Sequence, residues 1–280
     1  LENTEILDTD EITLKVTNDR FLQTLGGGAA LSSSKAGGGA VTLNLVLGND
    51  AVIDLTGATL SAGAGGLRAY AKNTSEIQTL AVGISGGQNL SVAVTGTANV
   101  TTGQTGVTLD RAELDSRGTI NLEATDSSTI TSLAGGAALS GKTGVGAAVA
   151  VNVTLNDTFV KGKGALISGD RSATLLASNE SAITSVAVGL GGSGKAAVAG
   201  SVAVGDIGND TRVDLELVDL DIDGAATLSA SNVATIDILA GSVALGAQKA
   251  VGAAITVAVM HNQVTSSLTL DKLTTAGSIN

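Results

Sequence analysis

Proline, cysteine and tryptophan do not occur in this chain of 280 residues, and its aromatic complement is one tyrosine and two phenylalanines. Each absence excludes something. Without cysteine there is no disulfide framework and no thiolate metal site; the lack is also compatible with export in an unfolded state. Without aromatics, a globular core loses its usual volume-filling side chains. Alanine, valine, leucine, isoleucine and the 38 glycines have to fill it instead, so the core must be thin and regular. Basic residues are outnumbered, with 15 Lys and Arg against 26 Asp and Glu, for a net charge of −11. That balance argues against a nucleic-acid backbone as partner and suits a long soluble surface. Long hydrophobic runs are missing too. The longest, about Val145 to Leu155, is interrupted by Asn152 and Thr154, whereas a spanning helix needs about 20 apolar residues. Glycine and β-branched residues are also poor helix formers. No membrane insertion is expected of this segment. A signal-peptide pattern is not visible, which in a segment carries no weight.

What is present is a repeat, and periodicity of this length is read before anything else. Ile77, Ile130, Ile183 and Ile236 recur at steps of 53 residues, and Asn156, Asn209 and Asn262 keep the same period. Lys142, Lys195 and Lys249 keep it within one residue. A first copy fits less well, with Leu22-Gln-Thr-Leu25 answering Ile77-Gln-Thr-Leu80. Five repeats result, at about 11–65, 66–118, 119–171, 172–224 and 225–277, behind an acidic lead-in at 1–10. The stretch Gly277-Ser-Ile-Asn280 repeats Gly118-Thr-Ile-Asn121, as the start of a sixth repeat. The chain is therefore expected to be a segment of a longer array, since solenoids carry atypical polar caps at their ends.

Within one repeat the pattern is that of strands. In the fourth copy, Ala173 to Ser178 and Ile183 to Leu190 are strands, and Gly191-Gly-Ser-Gly-Lys195 is a turn, because clustered glycines adopt positive φ without steric cost. Ala196 to Val204 runs back. Val213-Asp-Leu-Glu-Leu217 alternates apolar and acidic, as a half-buried strand does. Val218 then shifts the phase, so that Leu220 and Ile222 face in while Asp219, Asp221 and Asp223 face out. The two middle strands are small and apolar on both faces, as in Gly146-Ala-Ala-Val-Ala-Val151. Such runs are expected where a strand is covered on both sides, and they read as an arm of two strands packed face to face.

A repeat of this length can form one wide coil or two coils of about 26 residues, and charge spacing favours one. Parallel rungs lie about 4.8 Å apart, so residues one period apart touch only in a single coil. Lys161 then meets Asp214, and Lys163 meets both Asp110 and Glu216. Arg117 meets Asp170, and Asp219 meets Lys272. Opposed charges of this kind stabilise neighbouring strands modestly. The column Asn156, Asn209, Asn262 is expected to form a stacked amide ladder. The fold class is thus all-β, a parallel β-solenoid of about five 53-residue repeats with one wide coil each.

The phrase Leu133-Ala-Gly-Gly-Ala-Ala-Leu139, followed by Gly144-Val-Gly-Ala-Ala-Val-Ala-Val-Asn152, resembles the Gly/Ala-rich repeats of very large secreted bacterial surface proteins, the leukotoxin-like and filamentous-haemagglutinin-like exoproteins. Weaker versions stand at Ala187 to Val204 and Ala240 to Val259. The resemblance implies a right-handed parallel β-solenoid outside the cell, forming a stalk or fibre. It carries over no catalytic residue.

Candidate sites are few. Asp214, Glu216, Asp219, Asp221 and Asp223 supply carboxylate oxygens of the kind calcium takes, but their alternation with Leu and Ile makes a solvated acidic strand rather than a calcium loop. Paired carboxylates also serve glycoside hydrolysis, yet the companion basic residues and aromatic sugar platforms are missing. His261, the only histidine, reads as an exposed turn residue beside Asn262. Gly136 to Thr143 matches the letters of a phosphate loop, which requires a helix after it; none is expected, and the match occurs in one repeat. Asn156 and Asn209 fit a glycosylation pattern and read as turns. No catalytic, cofactor-binding or metal residue is assigned and no cofactor is expected. The functional expectation is a structural segment of an extracellular adhesin or fibre on the bacterial surface. Its expected partners are other copies end to end, or cell-surface molecules or glycans. Passenger repeats of a secreted toxin and a carbohydrate-active β-helix are the alternatives.

Overall fold

The computed structural model describes every residue except Ala276 and Asn280, and for Thr275 the backbone only. Asn280, which answers Asn121 in sequence, therefore lies outside the described residues. Among the described residues there is no helix. β-Branched residues favour the pleated surface, and with no proline to remove a ladder donor single strands run for twenty residues or more. Five coils follow one another. The first holds β1 (Glu5–Ser32), β2 (Lys35–Val46) and β3 (Ala51–Thr56), and the second β4 (Thr59–Gly87), β5 (Leu90–Asp110) and β6 (Glu113–Ser116). The third holds β7 (Ile120–Ser140), β8 (Thr143–Lys163) and β9 (Leu166–Gly169). The fourth holds β10 (Ala173–Ser193), β11 (Ala196–Ile207) and β12 (Asp210–Ile222), and the fifth β13 (Ala226–Gly246), β14 (Lys249–Met260) and β15 (Gln263–Thr275).

Each strand pairs in parallel with its counterpart one coil on. Ile77 stands beside Ile130, Ile130 beside Ile183, and Ile183 beside Ile236. On the return side Val92, Val145, Val198 and Val251 form one column. One repeat is therefore one coil, and the chain is a parallel β-solenoid. The first copy fits the sequence period poorly because most of it is offset by 55 residues from the second, as in Leu22 beside Ile77 and Lys35 beside Leu90. Residues 1–10, set apart in sequence as an acidic lead-in, belong to the solenoid. Glu5 pairs with Thr59 and Ile6 with Leu60, and Ile6 packs against the main core. Lying against Leu60 of the next coil removes part of the Ile6 side chain from water, which favours folding. Ile279 bridges to Ala226 and so begins a sixth rung.

A coil has a broad end and a narrow arm. At the broad end Leu67, Leu109, Leu114, Ile120, Leu122, Val160, Ile167 and Leu175 are fully buried and share one apolar core. Complete burial of such a side chain contributes about 1.5–3 kcal/mol. In the arm, the far halves of the outgoing and return strands lie face to face, with Ala134, Ala148, Ala150, Ala187 and Ala203 between them. The layers approach so closely that a Cβ on Gly136 would overlap the Ala147 carbonyl, and one on Gly189 the Gly200 carbonyl. The expectation that both faces of the arm strands are covered is corrected. Each layer has one partner layer, so its other face meets solvent, and Val149 is 39% exposed and Leu139 66%.

Candidate functional site

Between the apolar core and the arm, the interior changes character twice. Outgoing strands place Asn73, Asp126 and Asn179 in one buried column, and the return strands bring Asn156 and Asn209 to meet it. A layer of Ile77, Ile130, Ile183 and Ile207 follows. Then come Asn44, Asn99 and Asn152, also buried. The alternation of inward residues makes this arrangement, since every second side chain of a strand points into the coil.

The second polar column is an amide ladder. Asn44 Nδ2 donates to Asn99 Oδ1 at 2.7 Å, and Asn99 Nδ2 donates to Asn152 Oδ1 at 2.7 Å. The first is centred on Asp126. Its Oδ2 accepts from Asn73 Nδ2 at 2.6 Å and Thr105 Oγ1 at 3.1 Å; its Oδ1 accepts from Asn156 Nδ2 at 2.7 Å, and from Asn179 Nδ2 and Ser128 Oγ at 3.3 Å. An ionised carboxylate is acceptor-only, so donors from the rung below and the rung above both converge on it. Burial nevertheless pushes the Asp126 carboxyl above its ordinary range, against the lowering effect of those hydrogen bonds.

The Asn156, Asn209, Asn262 column is not the amide ladder the spacing suggested. The backbone N–H of Asn156 donates to Asn209 Oδ1 at 3.1 Å, and that of Asn209 to Asn262 Oδ1 at 2.9 Å. Asn156 lies within β8, not in the turn expected for it, and Asn209 lies between β11 and β12; at both, the side chain one coil on satisfies the backbone N–H. The amide nitrogens point inward: Asn156 Nδ2 to Asp126 and Ser128, Asn209 Nδ2 to Asn179 at 2.8 Å and Ser181 at 2.9 Å. Committed in this way and buried, they are closed to glycosylation.

The acidic strand is divided by a corner. Leu217 has φ of 53°, and Asp214 and Glu216 precede it while Asp219, Asp221 and Asp223 follow it. Lys163 Nζ pairs with Glu216 at 3.2 Å. Asp214 stands beside Lys161 in register, and Asp219 beside Lys272. Among the described residues no group of three or more His, Cys, Asp or Glu is placed to hold a metal ion. A shallow groove of about 440 Å³ runs past Asp110, Lys161, Lys163, Asp214 and Glu216, with both charge signs along it.

Lys161 shows what sequence reading missed. Its Nζ lies 4.1 Å from the centre of the Phe159 ring, and Arg212 lies 5.6 Å from the same ring. Partial burial, with Arg212 second, lowers the Lys161 pKa. Arg212 also bridges Asp157, at 2.7 Å, and Asp210. Phe159 has room because Gly106, one coil below, has no side chain; a Cβ there would meet the ring. A lone glycine one period before a lone aromatic was the available signal.

His261 is exposed, as the turn reading expected, and its Nδ1 lies 3.2 Å from Asp206 Oδ1. Gly141 and Lys142 form the exposed tip between β7 and β8. A strand and not a helix follows, and the tip N–H groups that would cradle a phosphate are engaged: those of Gly141 and Thr143 pair with Gly87 and Asn89 one coil below, and that of Lys142 donates to Ser140 Oγ at 3.2 Å. No family model, curated protein or solved structure matches the chain.

Proposed function

We propose that the chain is a structural segment of an extracellular bacterial adhesin or fibre, a stalk that spaces or displays binding surfaces or joins further copies end to end. One observation carries the reading. Buried polar side chains hold coil to coil in successive rungs, as in the Asn44–Asn99–Asn152 ladder and the donors around Asp126. An enzyme concentrates its unusual residues in one or two rungs; here they recur from rung to rung. The lack of cysteine fits a chain that is exported unfolded and assembles by stacking. Bare rungs would add strands edge to edge, which is the route to a filament. Antibodies raised against this segment should label intact cells carrying the parent protein, and surface protease should abolish the label. Labelling only after permeabilisation would overturn the reading.

A further inference from the structure

The outer face of the return strands is unusual in a chain of net charge −11. Read from tip to base, its columns are Gly37, Val92, Val145, Val198, Val251; then Gly39, Val94, Ala147, Gly200, Ala253; then Val41, Gly96, Val149, Val202, Ile255; then Leu43, Ala98, Val151, Val204, Val257. None of these residues can ionise. Val41, Val94, Val149, Val198 and Ile255 are 81%, 49%, 39%, 41% and 56% exposed. Asp206, one column nearer the base, is the first charge met. The outer face of the outgoing strands is less uniform, broken by Gln23, Gln78, Glu76 and Asp237.

We propose that this valine face is a docking surface for a second copy of the same chain, packed sheet to sheet with the arm tip of each copy over the arm base of the other. Three observations converge. The first is area. The four apolar columns and one flanking column on each side, which carry Lys35, Lys249 and Asp206 at the rim, are eleven residues of strand by five rungs, about 35 Å by 24 Å or roughly 850 Å², and a stable interface takes about 800 Å² from each partner. Further rungs in a longer chain would only enlarge it. The second is shape. Both faces carry ridges of small β-branched side chains at the same rung spacing, so identical ridges interdigitate as in a dry zipper. The third is charge. The tips carry Lys35, Lys142, Lys195 and Lys249 and no carboxylate. The bases carry Asp50, Asp157, Asp206 and Asp210, offset by Arg212 beside Asp157 and Asp210; the His261 imidazole lies beside Asp206. A twofold axis parallel to the solenoid axis puts lysines over carboxylates and keeps the rungs level. An axis along the strands would put lysines over lysines. The contact is isologous and closes on itself, unlike end-to-end stacking, which uses the rung edges.

The test is sedimentation of the 280-residue chain over a concentration series. A dimer is expected, and Val149→Lys with Val202→Lys, both outward-facing, should weaken it at least tenfold while leaving the strand spectrum intact. Lys142→Glu with Lys195→Glu leaves the apolar face whole and should weaken it severalfold at low salt but not in molar salt. Since the chain has no cysteine, Lys142→Cys takes a single nitroxide. Tip-over-base packing puts the two labels about 45 Å apart, twice seven residues of strand. That distance decides the matter even if the lysine variants fail to fold. A monomer at all concentrations would overturn the proposal, as would association unchanged by the valine variants or label distances under about 25 Å. So would a monomer that instead binds phosphatidylcholine–phosphatidylglycerol vesicles through Val149 and Val202.

Discussion

Asp126 is the one buried carboxylate among the described residues, and its position in a column of asparagines shows how a single atom changes a ladder. Asn73 and Asn179 both donate to it. Because burial holds its folded pKa above the usual 3.8, the folded chain keeps this proton to higher pH than the unfolded chain does. The stability it contributes is therefore present at low pH and is lost as pH rises through the raised folded value. Urea midpoints of the chain and of Asp126→Asn, compared upward from about pH 4, should diverge in favour of the asparagine; parallel curves would refute this account. A second test concerns one corner. Gly57, Arg111, Gly164 and Leu217 occupy it in successive coils with φ of 59°, 52°, 56° and 53°. Left-handed backbone costs a side-chain-bearing residue about 1–2 kcal/mol. Leu217 is 45% exposed and loses little burial on truncation. Leu217→Gly should stabilise by about 1 kcal/mol, and Gly164→Ala should cost about as much, both read from denaturant midpoints.

At the scale of the element, the arm depends on how close two strands can come. Gly135 and Gly136 are neighbours in β7 with opposite surroundings. A Cβ on Gly135 meets nothing within 4 Å, whereas one on Gly136 meets backbone of Ala147 and of Ala93. Backbone cannot swing aside as a side chain can. Gly136→Val should cost about 3 kcal/mol, at the upper end for overpacking, and should expose the arm to protease. Gly135→Val should be neutral or slightly stabilising, because valine suits a strand better than glycine. Equal effects of the two would mean that the arm layers stand further apart than described.

At the scale of the whole molecule, each coil touches the coils before and after it, one period away. Stability should then be a sum of coil and interface contributions. Removing 225–280 should lower the urea midpoint by one interface increment and leave a folded solenoid with a strand spectrum. Wholesale unfolding of the shortened chain would show that the five coils act as one unit. Closing a loop of 53 residues before any rung can pair costs chain entropy, so refolding should be slow beside that of a domain rich in local contacts.

The step of 53 residues, the strands, the arm and the choice of one coil per repeat are all legible in the sequence, because in a parallel stack the period is itself the contact map. Ile77, Ile130, Ile183 and Ile236 touch because their spacing says so. Of the opposite charges at the same spacing, Lys163 and Glu216 form an ion pair, while Lys161 and Asp214, and Asp219 and Lys272, stand in register. The period says which residues are neighbours along the axis, but not which face each other across a coil. Only the tertiary structure decided that Asn156 turns its amide to Asp126 and leaves its backbone N–H to Asn209. The same holds for the amide ladder, which belongs to Asn44, Asn99 and Asn152. It also showed that Ile6 draws the acidic start of the chain onto the first rung, and that the small apolar strands are covered on one side and bare on the other. Such choices depend on which of several equally spaced groups finds a partner when water is excluded, and spacing along one chain carries no record of that competition.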